Sequence, residues 1–250
     1  MVKKMRRYKC LVSYDGTGFE GYQIQPNGRT VQGELERVLI KLHKGVPVKV
    51  SGSGRTDAGV HAKGQVIHFD SALSIPEEKW GLALNSLLPP DIAILKVEKA
   101  NSDFHARFDV AEKEYRYQLL LSKSRSPFLR NYAYHYPYPL NVAAMEEAFK
   151  YLRGTHDFTS FCSVKTEVSD KIRTIREIDC SIEDNLLILR FVGNGFLYNM
   201  VRILTGTLLE VGAGERKPEE IAVILKGKDR RLAGKTAPPQ GLYLWKVFYE

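Results

Sequence analysis

The amino-acid sequence predicts an α+β fold in two halves, and three observations carry that prediction. Short runs with apolar residues at alternate positions stand beside longer runs whose apolar residues recur every three or four positions. The two kinds of run follow the same order, strand-helix-strand-strand-helix-strand, in each half. The 250 residues, 44% hydrophobic and 26% charged, can build real cores in one large or two small domains.

In the first half, KCLVSYD (9–15) is a short strand and GTGFEGYQIQPNGRT (16–30) a turn-rich loop. Thr30 caps a helix over 31–44, where Val31, Leu35, Val38, Leu39 and Leu42 share one face. VKVSGSG (48–54) alternates through Val48 and Val50, and GQVIHFD (64–70) through Val66 and the Ile67/Phe69 face. Ser74 and Glu77 have the spacing of a capping box for a second helix through Leu88. Pro89-Pro90 stops that helix, and IAILKVEKA (92–100) closes the half as a strand.

The second half opens with EKEYRYQLLL (112–121), a strand placing Tyr115, Tyr117, Leu119 and Leu121 on one face. Asn141 caps a helix over 142–154, and 175–193 reads as a hairpin turning near Glu183-Asp184-Asn185. Residues 196–212 form a helix with Leu197, Met200, Val201, Leu204, Leu208 and Val211 on a stripe, which Arg202 leaves. GLYLWKVFYE (241–250) is the last strand. Each half thus has the β-α-β-β-α-β order of a ferredoxin-like arrangement, with antiparallel sheets and no literal sequence repeat. The expected domains are 1–105 and 106–250, divided within NSDFHARFDVAEKE (101–114).

Several function classes fall away on composition. Cys10, Cys162 and Cys180 are three and far apart, with no C-x-x-C, so they read as reduced thiols of a cytoplasmic protein. MVKKMRRYKC is basic like the start of a signal peptide, but no apolar core follows it. No stretch approaches the ~18 apolar residues of a membrane span. The six histidines show no paired metal-ligand spacing, and a deaminase's H-x-E with P-C-x-x-C and a hydrolase's G-x-S-x-G are both missing. Net charge is +8, with basic clusters at Lys3 to Lys9, Lys165 to Arg176 and Lys226 to Lys235. Such an excess favours polyanions, nucleic acid above all, though it also suits a solvated lysine-rich surface.

SGRTDAGVHA (53–62) sets one carboxylate beside an arginine in a glycine-rich bend between two strand-like runs. Asp57 stands where a dinucleotide fingerprint needs its third glycine, and the run leads into a strand. Gly54 to Gly59 and Gly59 to Gly64 fit G-x-x-x-x-G, but no Lys-Ser/Thr follows either. What remains is one short carboxylate on a permissive backbone, with Arg55 two positions before it and His61 four after. By spacing alone Asp57 is either a turn former or a catalytic acid.

The same stretch resembles the TruA-type tRNA pseudouridine synthase family, and the resemblance runs in order along almost the whole chain. It includes YDGTGFEGYQ (14–23), RTVQGELE (29–36), SGSGRTDAGVHA (51–62), NSLLP (85–89), FHARF (104–108), KEYRY (113–117), GFLYNMVR (195–202) and APPQGLYL (237–244). It implies the pseudouridine synthase fold with the active-site cleft between the halves. Asp57 matches the family's catalytic aspartate, Tyr115 the tyrosine that packs on the target uracil, and Arg202 the basic residue that pairs with the aspartate. Arg55 is implied to contact substrate and help flip the base, and Leu242 to complete the apolar wall. The resemblance further implies a homodimer with a basic cleft for the anticodon stem-loop, uridines 38, 39 and 40 as targets, and neither cofactor nor metal. Without it, two other readings stand: a non-catalytic RNA-binding protein, and a nucleoside or glycan hydrolase using Asp57 as one of two carboxylates.

Overall fold

In the computed structural model, which describes residues 5–249, the first strand is β1 (Arg6–Tyr14). Tyr8, Cys10, Val12 and Tyr14 alternate into the core, as a period of two requires. Of the basic run Lys3 to Lys9, Lys3 and Lys4 lie outside the described residues, as does the start of the signal-like MVKKMRRYKC. Arg7 makes a two-pronged contact with Asp70 at 2.8 and 2.7 Å, and Lys9 lies 4.5 Å above the Tyr249 ring. These two cations are therefore committed to the fold.

Thr30 caps α1 (Val31–Leu42) by accepting from the Gly33 N–H at 3.3 Å, and Val31, Leu35, Val38 and Leu39 form its buried face. The strand expected over 48–54 shrinks to β2 (Ser51–Gly52). The reason lies in α1, whose side chains take the backbone groups a ladder would use. Val50 N–H donates to Glu36 Oε1 at 3.0 Å, and Gln32 Nε2 donates to the Val50 carbonyl at 3.1 Å. β3 (His61–Ser71) pairs antiparallel with β1, with Tyr8 opposite Phe69 and Cys10 opposite Ile67.

The capping box at Ser74 does not form. α2 is Glu77–Asn85 with Pro76 as its cap residue and no side-chain cap bond. A residue before proline is pushed from helical to extended backbone, so Ile75 blocks a start at Ser74. The helix also stops at Asn85, before Leu88, because the Asn85 side chain turns to the next strand. It accepts from Ile94 N–H at 2.7 Å and donates to the Ile94 carbonyl at 2.9 Å. That strand, β4 (Ile92–Ala100), flanks β1 with Cys10 opposite Val97. Trp80 of α2 is fully buried and packs on Tyr8 at 5.0 Å and Phe69 at 5.2 Å.

β5 (Val110–Leu120) buries Tyr115, Tyr117 and Leu119 as expected, while Leu121 falls beyond its end. The two-residue β6 (Tyr134–His135) lies parallel to it. Asn141 caps α3 (Val142–Leu152) through the Ala144 N–H, and β7 (Gly154–Asp157) follows. β8 (Ile172–Glu183) and β9 (Leu186–Gly193) form the expected hairpin, with Asp184 at a φ of 53° in the turn. α4 (Met200–Gly212) starts four residues later than 196 because Asn199 takes a left-handed φ of 62°. Its expected stripe widens to near-complete burial, leaving Arg202 and Glu210 partly exposed. α5 (Glu220–Gly227) and β10 (Leu242–Tyr249) complete the chain.

The chain divides into two compact units between Ala111 and Glu112, not between 105 and 106, and residues from Leu244 onward return to the first. Hydrogen bonds explain the shift, since the FHARF segment is tied to the first unit. Ala106 N–H donates to His68 Nδ1 at 3.1 Å, Arg7 to the Phe104 carbonyl at 2.8 Å, and Tyr249 Oη to the Ala106 carbonyl at 2.6 Å. In the first unit the strands run β4-β1-β3-β10, and in the second β5-β9-β8-β7. Both are sheets of mainly antiparallel pairs accompanied by helices, an α+β architecture.

Two predictions follow from this packing. His68 is neutral in the fold, its pKa lowered from 6.5 to about 4 chiefly by burial. The unfolded chain therefore binds the extra proton between those values, and stability falls as pH drops from about 6.5 towards 4. Denaturant melts of a His68→Gln variant should show a shallower loss over that range than wild type. Gly206 in α4 lies against the Lys235 carbonyl, where a methyl would overlap it. Alanine gains about 1 kcal/mol of helix propensity, but displacing backbone in a packed core costs about 1–3 kcal/mol. Because the overlap is deep and with backbone, the cost sits at the upper end of that range, so Gly206→Ala should lower the urea-unfolding free energy by about 2 kcal/mol net, and an unchanged midpoint would contradict this contact.

Candidate active site

SGRTDAGVHA connects β2 to β3 as a bend with almost no ladder of its own, so its backbone groups need partners elsewhere. β3 supplies the first. The Ser53 N–H donates to the Val66 carbonyl at 2.8 Å, and the Ser53 hydroxyl to Gln65 Oε1 at 2.6 Å. Gln65, fully buried, donates through Nε2 to the Gly54 carbonyl at 2.9 Å. The end of β1 supplies the next, where the Tyr14 hydroxyl meets Thr56 Oγ1 at 2.8 Å inside the core. Burial raises the Tyr14 pKa to about 12, so the phenol stays protonated.

The loop after β1 holds the outer side of the bend. Tyr22 N–H donates to the Thr56 carbonyl at 3.0 Å, and Gly59 N–H to the Phe19 carbonyl at 3.3 Å. Gly59, at a φ of 76°, lets the chain turn back so that Val60 N–H reaches the Asp57 carbonyl at 3.1 Å. Gly21, at a φ of 99°, permits the close pass, since a Cβ there would sit 2.9 Å from the Thr56 carbonyl oxygen. Gly16 N–H donates to Nδ1 of buried His61 at 3.0 Å. Asp15 Oδ1 lies 3.2 Å from the same ring nitrogen.

Within this frame Ser53, Thr56, Val60 and His61 are buried, Asp57 is half-buried, and Arg55 is exposed. The sequence marked Asp57 and Arg55 but not their supports, Tyr14, Gln65 and Tyr22. Tyr14 and Tyr22 belong to YDGTGFEGYQ, and a buried Gln within the strand GQVIHFD is the one signal that could have exposed Gln65.

The other named residues belong to the second unit. Tyr115 is 8% exposed on β5, and its ring meets Phe196 edge-on at 5.1 Å. Arg202 is not a solvated helix residue. Its Nε donates to the Ala237 carbonyl at 2.8 Å, one terminal nitrogen donates to Asn199 Oδ1 at 2.9 Å, and its own carbonyl accepts from Ala237 N–H at 3.0 Å. The Ala233–Ala237 segment thus straps α4, with Gly234 N–H also donating to Thr207 Oγ1 at 2.9 Å. Leu242 is buried at the start of β10. Among the described residues, no group of three or more His, Cys, Asp or Glu side chains is placed to hold a metal ion.

The family profile described as tRNA pseudouridine synthase matches residues 11–109 and 148–250, which include the Asp57 bend, β5's neighbours on the second sheet and the Arg202 helix. The chain belongs to the tRNA pseudouridine synthase family. The tRNA pseudouridine synthase A of Geobacillus sp. (strain WCH70) is 60% identical over 98% of this chain and 99% of its own length. That of Anoxybacillus flavithermus is 61% identical over 98% of this chain and all of its own, and that of Listeria innocua 58% over the same shares. Members of this family are isomerases that convert uridine to pseudouridine.

The clamp predicts its own test. Tyr14→Phe removes one buried partner and strands the Thr56 hydroxyl, which costs about 1–3 kcal/mol. Hydrogen exchange should quicken at the amides of 53–60 while those of β4 keep their protection; uniform protection would show that Tyr14 does not fix the bend.

Proposed function

We propose that this isomerase acts on uridines 38, 39 and 40 of the tRNA anticodon stem-loop and uses Asp57 as its catalytic carboxylate. The observation that supports it most directly is the bend itself: a half-buried acid on a backbone fixed by buried tyrosine, glutamine and threonine side chains. A turn-forming aspartate needs no such apparatus.

The reaction breaks the N1–C1′ bond, turns the detached uracil and joins C5 to C1′. The atoms are conserved and nothing is oxidised, so a positioned acid/base group and a shaped pocket are the requirements. A duplex hides C1′, and extruding the base costs a few kcal/mol of stacking. Exposed Arg55 is suited to enter the space the base leaves, as a cation among phosphates. The ionised Asp57 then serves as nucleophile or base at the ribose. Tyr115 offers an apolar ring for the uracil face, Leu242 extends that wall, and Arg202 supplies the positive charge that favours an ionised carboxylate. Each unit is read as one ferredoxin-like half, and the working form as a cytoplasmic homodimer. No helix among the described residues is long and apolar enough to cross a membrane.

RNA shape and phosphates, more than base edges, should guide docking, because an A-form major groove is too narrow to read. That explains how neighbouring uridines in different sequences can share one enzyme. The test is pseudouridine mapping on unmodified tRNA transcripts with wild type and Asp57→Asn. Wild type should modify positions 38 to 40, and Asp57→Asn should lose activity by at least about a thousandfold while still binding tRNA. A variant that keeps turning over would overturn the role of Asp57, and binding without product from wild type would favour an RNA-binding protein.

A further inference from the structure

Beyond the bend, the second unit contains a half-open cavity of about 510 Å³ between β6 and the loop before it. Its floor includes Leu129, and its walls carry Arg125, Arg130, Tyr134, His135 and Gln240. No aspartate or glutamate lines it. This sets it apart from the other basic surfaces of the unit. Arg176, Arg190, Arg216 and Arg231 are each held by carboxylates, and a second cavity beside α5 contains the Lys228–Asp157 ion pair.

Arg125 and Arg130 are exposed, and no ion pair with either is present among the described residues. Arg130 donates one terminal nitrogen to the Pro127 carbonyl at 2.6 Å, which orients its guanidinium and leaves further N–H groups for a ligand. His135 Nε2 donates to the Ser122 carbonyl at 2.8 Å, fixing the ring at the wall. Tyr134 contributes an aromatic face, and Gln240 an amide that can both donate and accept. Two guanidinium groups, that of Arg130 oriented by its bond to Pro127, with an aromatic ring, an amide and a cavity in the small-ligand range, together suit a nucleotide. The guanidinium groups fit its phosphate, the ring its base and the amide a base edge.

The cavity also adjoins residues already assigned to the reaction. Gln240 lies between Ala237, which receives the Arg202 side chain, and Leu242. Gly241 is packed so closely on Tyr117 that a Cβ there would sit 2.7 Å from its ring, so this segment has little slack. We infer that the cavity binds a second nucleotide of the substrate tRNA, distinct from the target uridine, and that this subsite holds the RNA in register. The inference rests on the reading of the chain as a tRNA-acting isomerase.

The test uses the full chain, an unmodified tRNA transcript and the double variant Arg125→Gln/Arg130→Gln. Filter binding should show Kd raised about tenfold and the slope of log K against log salt flattened by about 0.7–0.9, the loss of one neutralised phosphate. KM should rise in parallel, with kcat and the melting temperature unchanged. Gln240→Ala should raise KM without altering the salt slope, because it removes no charge. Wild-type values of Kd, slope and KM in the double variant would overturn the subsite. An equal effect from Lys41→Gln/Lys44→Gln, exposed lysines on the first unit, would overturn it too, since net charge alone would then suffice. The binding arm needs no turnover, so it decides the subsite even if wild type makes no pseudouridine.

Discussion

The polar accounting of residues 53–60 is the constraint on which the site depends. A bend of this length has donors and acceptors that neither strand beside it can use, and burying them unpaired would cost more than the bend could recover. Gln65 settles two of these groups from the strand that follows, Tyr14 a third from the strand before, and Tyr22 and Phe19 two more from the intervening loop. The backbone that carries Asp57 is thereby held from both sides. The glycines at 16, 21 and 59 are part of the same solution, since each stands where a side chain would force the loop or the bend apart or where φ is positive.

The second unit applies a related device to a helix. α4 is buried on nearly every side, so a polar side chain on it must be paired within the core or emerge at a chosen place. Thr207 back-bonds to the Ile203 carbonyl at 2.8 Å while accepting from Gly234, and Arg202 is bracketed by Asn199 and Ala237. The guanidinium is held at both Nε and a terminal nitrogen, so its direction is set by the strap and not by rotamer preference. A lysine there could not reproduce that fork.

Much of this was legible in the residues because helices and strands write their periods into the sequence. The alternation of Tyr8, Cys10 and Val12, the face of Leu35, Val38 and Leu39, and the caps Thr30 and Asn141 all form as their patterns imply. The failures share a cause, which is competition the pattern does not record. Val48-Lys-Val50 alternates like a strand, but Glu36 and Gln32 take its hydrogen bonds; Ser74 is spaced like a cap, but Pro76 controls the residue between. β6 and β7 are too short to show a period, and α5 is an eight-residue helix of little more than two turns. At the site, Asp57 stood out through its motif, whereas Gln65 and Tyr14 look like ordinary strand residues until their partners are known.

The last strand carries a consequence for how the molecule comes into being. Its residues from Leu244 onward belong to the first unit, beside β3, although the whole of the second unit precedes them in the chain. Gly64 is bare so that the Trp245 carbonyl can lie against it, and Tyr249 closes over Ala106. A ribosome therefore delivers every residue of the second unit before the first receives its final strand. The bend that carries Asp57 is made early, but the sheet behind it is finished only after the whole second unit has been made, so a nascent chain carries the edge of β3 uncovered while that unit grows.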